Sequence, residues 1–216
     1  MIPVAPAIRI VIVDDHPVLR RGVAQLLGLE RDMQVVAEVG RAGEVAAVVA
    51  QHRPQVVLLD LTLPDGDGLG VLKDLAPANP RTGFLVLTMH DRRVYADRCL
   101  KAGARGFLTK DAPPAQLMAA IRAVAGGRTW VAEPAAAAAA DPADRRLSEA
   151  VGTLSDRQLE VFRMIGEGQS TRDIAARMQV SVKTVEAHKE AIKARLGASG
   201  APDLLRLAML WRDTAG

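Results

Sequence analysis

Residues 8–15 read Ile-Arg-Ile-Val-Ile-Val-Asp-Asp, an apolar run broken only by Arg9 that ends on two adjacent carboxylates. A run so nearly continuous suits a strand buried on both faces, as in a parallel sheet. Further short apolar runs follow at Val35–Val39, Val56–Leu59, Phe84–Leu87 and Gly106–Leu108. Between and after them the apolar spacing turns helical, over Val18–Leu27, Gly43–His52, Leu69–Leu75, Val94–Lys101 and Ala115–Ala125. Strand alternating with helix in this way predicts a parallel sheet covered by helices on both faces.

The ends of these strands carry the chemistry. Asp14 and Asp15 follow the first, Asp60 closes the third, Thr88 closes the fourth and Lys110 follows the fifth. Open α/β sheets bind ligands outside the carboxyl ends of their strands, so these side chains converge on one mouth. Carboxylates crowded in a small cleft repel one another and invite a hard cation such as Mg²⁺. A carboxylate can also act as a nucleophile toward phosphorus. A cation, a lysine and a hydroxyl would then stabilise the phosphoryl oxygens. Each residue alone has a plainer reading. Asp14 or Asp15 could cap the helix that begins near Pro17, and Lys110 could be solvated surface. Their coincidence at successive strand ends favours the joint site.

The alternation stops near Trp130. Glu133-Pro134, the alanines 135–140 and Asp141-Pro142 then predict a linker over residues 131–152. From Thr153 onward the spacing is helical throughout and predicts a compact four-helix unit. Ser155 with Gln158 forms a capping box, Ser170 with Asp173 a looser one, and Ser181 caps a third helix. In that third helix Val185, Ile192 and Leu196 share one face, which must pack inward. The opposite face carries Lys183, Glu186, Ala187, Glu190 and Lys193, flanked by Thr184, His188 and Lys189. Helix, short turn and helix is the geometry of a major-groove reader. The lysines and Thr184 would contact phosphates, and Glu186, Ala187 and Glu190 would face base edges. Periodicity alone describes a solvated amphipathic helix equally well, and both glutamates repel phosphate.

The stretches Val11-Ile-Val-Asp-Asp-His-Pro-Val-Leu, Leu58-Leu-Asp-Leu-Thr-Leu-Pro-Asp-Gly-Asp-Gly, Val86-Leu-Thr-Met-His and Gly103-Ala-Arg-Gly-Phe-Leu-Thr-Lys together resemble the receiver domain of two-component response regulators. The resemblance implies a flavodoxin-like five-stranded sheet of order 2-1-3-4-5. It implies that Asp60 is the phosphoacceptor. Mg²⁺ would be held by Asp15, Asp60 and the backbone carbonyl of Thr62, with Asp14 acting mainly through water. Lys110 would pair with the phosphoryl group, Thr88 would be the switch hydroxyl and Phe107 the switch aromatic. Phe107 stands where many relatives have tyrosine, and Leu63 where methionine is frequent. The C-terminal part resembles the LuxR-type helix-turn-helix, through Thr184-Val-Glu-Ala-His188, Gly168, Ile174-Ala175 and Leu196-Gly197. It departs at Asp156-Arg157-Gln158, where proline-arginine-glutamate is usual. The pair of domains is similar to NarL/FixJ-type response regulators. What the resemblance implies is an α/β receiver over 1–130, a linker over 131–152 and an all-α DNA-binding domain over 153–216. It also implies a sensor histidine kinase, double-stranded DNA with a two-fold site, a homodimer when phosphorylated and RNA polymerase as a further partner. No enzyme activity is expected beyond the receiver's own phosphorylation and dephosphorylation.

Composition fits this picture without producing it. The 216 residues are 49% hydrophobic, but 37 are alanine, so large core side chains are fewer than that figure suggests. The single cysteine, Cys99, excludes an intrachain disulfide and suits a reducing compartment. No apolar run approaches the ~20 residues of a membrane span, and Met1–Ala7 is too short and uncharged for a signal peptide, so a cytoplasmic location is expected. Net charge is +3, with 16 basic and 13 acidic residues in 1–130 and 10 basic and 8 acidic in 153–216. Bulk charge therefore does not locate a DNA site. Two other classes fit parts of the chain. A phosphohydrolase would use Asp, Thr, Lys and Mg²⁺, but usually with an Asp-x-Asp after the first strand. A ligand-binding LuxR-type regulator would share only the C-terminal half. His16 and His90 border the site and read as surface or capping residues, Asp65-Gly66-Asp67 as a turn, Cys99 as a small packed residue, and the apolar residues of the last helix as core or dimer contacts.

Overall fold

The structure is a computed structural model that describes residues 7–131 and 142–215. The chain divides into two units, Met1–Ala135 and Ala136–Gly216. The first contains β1 (Ile8–Val13), α1 (Pro17–Gly28), β2 (Met33–Val39), α2 (Ala42–His52), β3 (Val56–Leu59), β4 (Thr62–Leu63), β5 (Gly66–Asp67), α3 (Gly68–Ala78), β6 (Gly83–Thr88), α4 (Arg92–Lys101), β7 (Gly106–Thr109), α5 (Pro114–Ala125) and β8 (Trp130–Val131). The main sheet has the order β2-β1-β3-β6-β7-β8, and every pairing in it is parallel. The first five strands of that order are the 2-1-3-4-5 arrangement expected from the resemblance. The sixth, β8, pairs only Trp130 and Val131 with Gly106 and Phe107, and two residues carry no periodicity from which to predict it.

Strand alternation distributes the core between two faces. Ile10, Ile12, Val56, Leu58, Leu85, Leu87 and Leu108 pack with Val23 and Leu27 of α1 and with Leu117, Ile121 and Val124 of α5. Their neighbours Val11, Val13, Val57, Leu59, Phe84, Val86 and Phe107 are equally buried and turn to the other face. The turn expected at Asp65-Gly66-Asp67 lies in the small antiparallel hairpin β4–β5. Asp65 accepts from the backbone N–H groups of Ala42 (2.8 Å) and Gly43 (3.2 Å), capping α2 from outside the helix. Asp67 caps α3 through the N–H of Leu69. Gly68 is fixed by crowding, since a Cβ there would lie 2.2 Å from the main-chain oxygen of Asp60.

The second unit contains α6 (Pro142–Gly152), α7 (Asp156–Gly166), α8 (Thr171–Met178), α9 (Val182–Leu196) and α10 (Ala201–Ala215). The expected four helices are α7–α10, and α6 precedes them. Residues 132–141 of the expected linker lie outside the described residues. Residues 142–152, expected to belong to it too, form α6, which packs on α9 and α10 and buries Ser148 and Val151. Pro142 stands at the start of this helix, where a missing N–H costs nothing, and Val151 with Leu154 supplies the apolar contact that a reading of the alanine run passes over. Phe162 and Trp211 face each other with ring centroids 5.7 Å apart. Gly166 lets α10 approach closely, because a Cβ there would meet the main-chain oxygen of Ala208 at 2.7 Å.

Candidate functional site

The sheet brings four of the predicted residues to one pocket. Asp14 and Asp60 are buried at the ends of β1 and β3, and Thr88 is buried at the end of β6. Lys110 follows β7, and its Nζ lies 2.8 Å from Asp14 Oδ2 and 2.7 Å from Asp60 Oδ2. Neither Asp14 nor Asp15 caps α1. The helix is entered through His16, without a side-chain cap. Asp14 Oδ1 instead accepts from the His16 backbone N–H (2.7 Å), and Asp60 Oδ1 accepts from that of Thr62 (3.3 Å).

Charge in this pocket is unbalanced. Burial pushes the Asp60 carboxyl above the usual carboxylate range, the Lys110 ammonium pulls it back, and the Asp14 charge adds to the upward push. Burial works against the Lys110 ammonium, but the two carboxylates it bridges outweigh burial and hold it above its ordinary value. Asp15 completes the set. Its Oδ1 is buried and accepts no hydrogen bond. His16 Nδ1 lies 2.7 Å from it, an ion-pair distance without hydrogen-bond alignment. Donor atoms of Asp14, Asp15, His16 and Asp60 all lie within 4.8 Å of one another. Three carboxylates, one of them with an unsatisfied buried oxygen, suit a hard, oxygen-seeking cation. The pocket is therefore compatible with metal binding.

Two predicted positions differ from this cluster in placement. Phe107 is fully buried within β7, in register with Val86. Thr62 is half-buried, and its hydroxyl is 3.0 Å from His90 Nε2. His90 stacks on Tyr95 at 4.6 Å, and its backbone N–H donates to Thr88 Oγ1 (3.3 Å). His16 and His90 thus border the pocket as expected, and His16 is exposed at the start of α1. Arg20, which sequence reasoning passed over, donates through Nη1 to the main-chain oxygen of Asp14. Only its position in the first turn of α1, five residues after the acid pair, could have hinted at this.

The family model for the response regulator receiver domain matches residues 10–122, and that for bacterial regulatory proteins of the luxR family matches residues 152–208. The chain is 37% identical over 209 residues to the oxygen regulatory protein NreC of Staphylococcus haemolyticus, covering 93% of this chain and 96% of that protein. It is 38% identical over 211 residues to NreC of Staphylococcus aureus strain MRSA252, with the same coverage. The chain belongs to the LuxR-type response regulators. A LuxR-family two-component response regulator from Aurantimonas sp. SI85-9A1 is 35% identical, with a TM-score of 0.56 over 60% of this chain and 91% of that one. The two-component response regulator RcsB, solved as a complex with DNA, shares the fold at 24% identity and a TM-score of 0.72, over 94% of this chain and 98% of that one.

In this response regulator the LuxR-type unit carries the helix-turn-helix on α8 and α9. Ser155 and Ser170 both make complete capping boxes, with Gln158 and Asp173, and Ser181 caps α9 through the N–H of Thr184. The turn between α8 and α9 passes through Gln179 at φ 56°, a left-handed position held without glycine. Val185 and Ile192 are fully buried, and Leu196 is half-buried at the helix end. Lys183, Thr184, Glu186, Ala187 and Glu190 are exposed, and His188, Lys189 and Lys193 are half-buried along the flanks. The glutamates are not free. Glu186 Oε1 accepts from Thr171 Oγ1 (3.0 Å) and Lys189 Nζ (3.1 Å), which also reaches Thr171 Oγ1 at 3.0 Å. Glu190 pairs with Lys193 at 2.7 Å. These links soften the repulsion that two acids would exert on a phosphate backbone. They also tie Glu186 to α8, a contact invisible to helical periodicity. Among the described residues no helix is long and apolar enough to cross a membrane.

Proposed function

We propose that the protein is a cytoplasmic transcription regulator switched by phosphorylation of Asp60. The observation that carries this reading is the shared Lys110. A buried acceptor carboxylate and a second carboxylate are held on one ammonium group, 2.7 and 2.8 Å away, at the carboxyl end of a parallel sheet. A phosphohistidine of a sensor kinase would be the donor. Asp60 Oδ would attack phosphorus, its new bond to phosphorus forming as the histidine N–P bond breaks. Asp15, Asp60 and the Thr62 carbonyl would hold Mg²⁺, with Asp14 behind a water. Mg²⁺ when bound would neutralise phosphoryl charge. Lys110 and the Thr88 hydroxyl would take the phosphoryl oxygens, and buried Phe107 would reorient as Thr88 moves. The receiver's catalysis would be limited to its own phosphorylation and dephosphorylation.

Residues 1–130 would form the receiver and 153–216 the DNA-binding domain, joined through 131–152, of which α6 packs on the DNA-binding helices. Phosphorylation would shift a two-state equilibrium toward a homodimer. The dimer would bind double-stranded DNA at a two-fold site with half-sites about one helical turn apart and act on RNA polymerase. Lys183, Thr184, Lys189 and Lys193 would contact phosphates, with Ala187, His188 and Glu190 turned toward the groove. Glu186 would reach base edges only by exchanging its contacts with Thr171 and Lys189. The RcsB–DNA complex, a protein of the same fold, is consistent with this reading.

Gel-shift binding to genomic fragments, with and without a small phosphoryl donor and Mg²⁺, tests the proposal. Donor-dependent tightening in the wild type that is lost in Asp60→Ala is expected. Equal binding with and without donor would refute the switch. Steady turnover of a small phosphoester, in place of one retained phosphoryl group per chain, would favour the hydrolase reading instead.

A further inference from the structure

We infer that Arg20 is a positioning residue for the acid pair, setting the orientation in which Asp15 meets a divalent cation. The inference rests on the metal reading of the pocket given above. Asp14 and Asp60 each have hydrogen-bonding partners on both carboxylate oxygens, through His16 and Thr62 N–H groups on one side and Lys110 on the other. Asp15 Oδ1 accepts no hydrogen bond, and its neighbour is the exposed His16 ring, Nδ1 at 2.7 Å. The aim of the Asp15 side chain therefore depends more on its main chain than that of Asp14 or Asp60 does.

That main chain is held from outside β1. The Asp14 N–H donates to the Val39 carbonyl at 3.1 Å, and the Asp14 carbonyl accepts from Arg20 Nη1. A peptide unit is planar, so fixing the Asp14 carbonyl also fixes the Asp15 N–H and the direction in which the Asp15 Cα leaves. Arg20 itself lies beside β2, its Nε within ion-pair range of Glu38 Oε2 at 3.5 Å though without a hydrogen bond. Gly40 runs alongside, where a Cβ would come within 3.4 Å of Arg20 Nη1. The start of α1 and the end of β2 thus meet beside one carbonyl next to the metal pocket. A purely stabilising guanidinium needs no such address. Arg122 shows the alternative, bridging Glu30 (2.6 Å) and Asp32 (2.7 Å) just ahead of β2, at the amino-terminal end of the sheet.

The test is the Mg²⁺ dependence of the receiver's thermal midpoint in the full chain, which reports affinity independently of phosphorylation. Arg20→Ala should raise the Mg²⁺ concentration giving half the stabilisation by roughly tenfold, as removal of other partners behind a metal ligand does. Arg20→Lys keeps the charge but not the planar fork, and should weaken Mg²⁺ in the same direction by a smaller factor. It decides the matter if the alanine variant does not fold. Arg122→Ala should lower the midpoint yet leave the Mg²⁺ half-point unchanged. Wild-type half-points in both Arg20 variants, or an equal shift in Arg122→Ala, would overturn the role of Arg20 and leave the metal reading intact. A wild-type protein whose midpoint ignores Mg²⁺ would overturn both.

Discussion

The receiver pocket and the exposed face of α9 both mix aspartate or glutamate with lysine, and they use the mixture in opposite ways. In the pocket the charges are buried and acid is in excess, since Lys110 serves both Asp14 and Asp60 while Asp15 stands beside them. On α9 each acid is matched to a lysine three residues on, Glu186 to Lys189 and Glu190 to Lys193, with both glutamates open to water. Buried imbalance is costly and is retained where a cation or phosphoryl group can relieve it. Exposed balance costs little and keeps a surface nearly neutral until a partner rearranges it. One site thus stores electrostatic tension, and the other holds its charges in reserve.

The largest break in this comparison should come from Lys110→Met. It leaves two buried carboxylates without their shared cation, and denaturant unfolding at neutral pH should show a loss of about 3 kcal/mol. Part of that loss should return as pH falls and Asp60 takes up a proton. Asp60→Asn should act in the opposite sense, raising the metal-free thermal midpoint by roughly a few degrees. Its sign follows from linkage. The Asp60 pKa is raised in the folded state, so the native wild type binds a proton more tightly than the unfolded chain. Wild-type stability from this group is present below the ordinary carboxyl pKa of 3.8 and is lost as pH rises through the higher folded value. The advantage of asparagine should therefore shrink on acidification, and an advantage that grew instead would remove the imbalance from the pocket.

Smaller effects are expected in the helical unit. Ser170→Ala removes one half of a complete capping box and should cost about 1 kcal/mol by thermal or denaturant unfolding. Glu186→Gln should change stability by less than about 0.5 kcal/mol, as for other exposed pairs. It should nevertheless tighten DNA binding and steepen its salt dependence by up to about one counterion, because Lys189 is released toward phosphate. Unchanged salt dependence in a titrated gel shift would mean that α9 does not hold its lysines in reserve.

Much of this was legible in the chain. The strands were readable because both faces of a parallel sheet are buried, so Ile10–Val13 and Val56–Leu59 announce themselves as unbroken apolar runs. The helix starts at Ser155, Ser170 and Ser181 were readable because a cap is a local hydrogen bond between residues three apart. What escaped was short or non-local. The strand at Trp130–Val131 is too brief to show a period. The helix at 142–152 takes its burial from α9 and α10. Asp65 looks like an ordinary turn residue until the fold brings it to the start of α2.

The sequence by itself determined the two classes of architecture and the residue types at the strand ends, because periodicity and strand termini are properties of neighbouring residues. Only the tertiary structure decided how those residues are bound to one another. It put Lys110 between Asp14 and Asp60, left Asp15 Oδ1 without a donor, brought Arg20 to the Asp14 carbonyl and fastened Glu186 to Thr171. These contacts join separate segments, and a hydrogen bond acts over about 3 Å, a distance that only the packed chain can set.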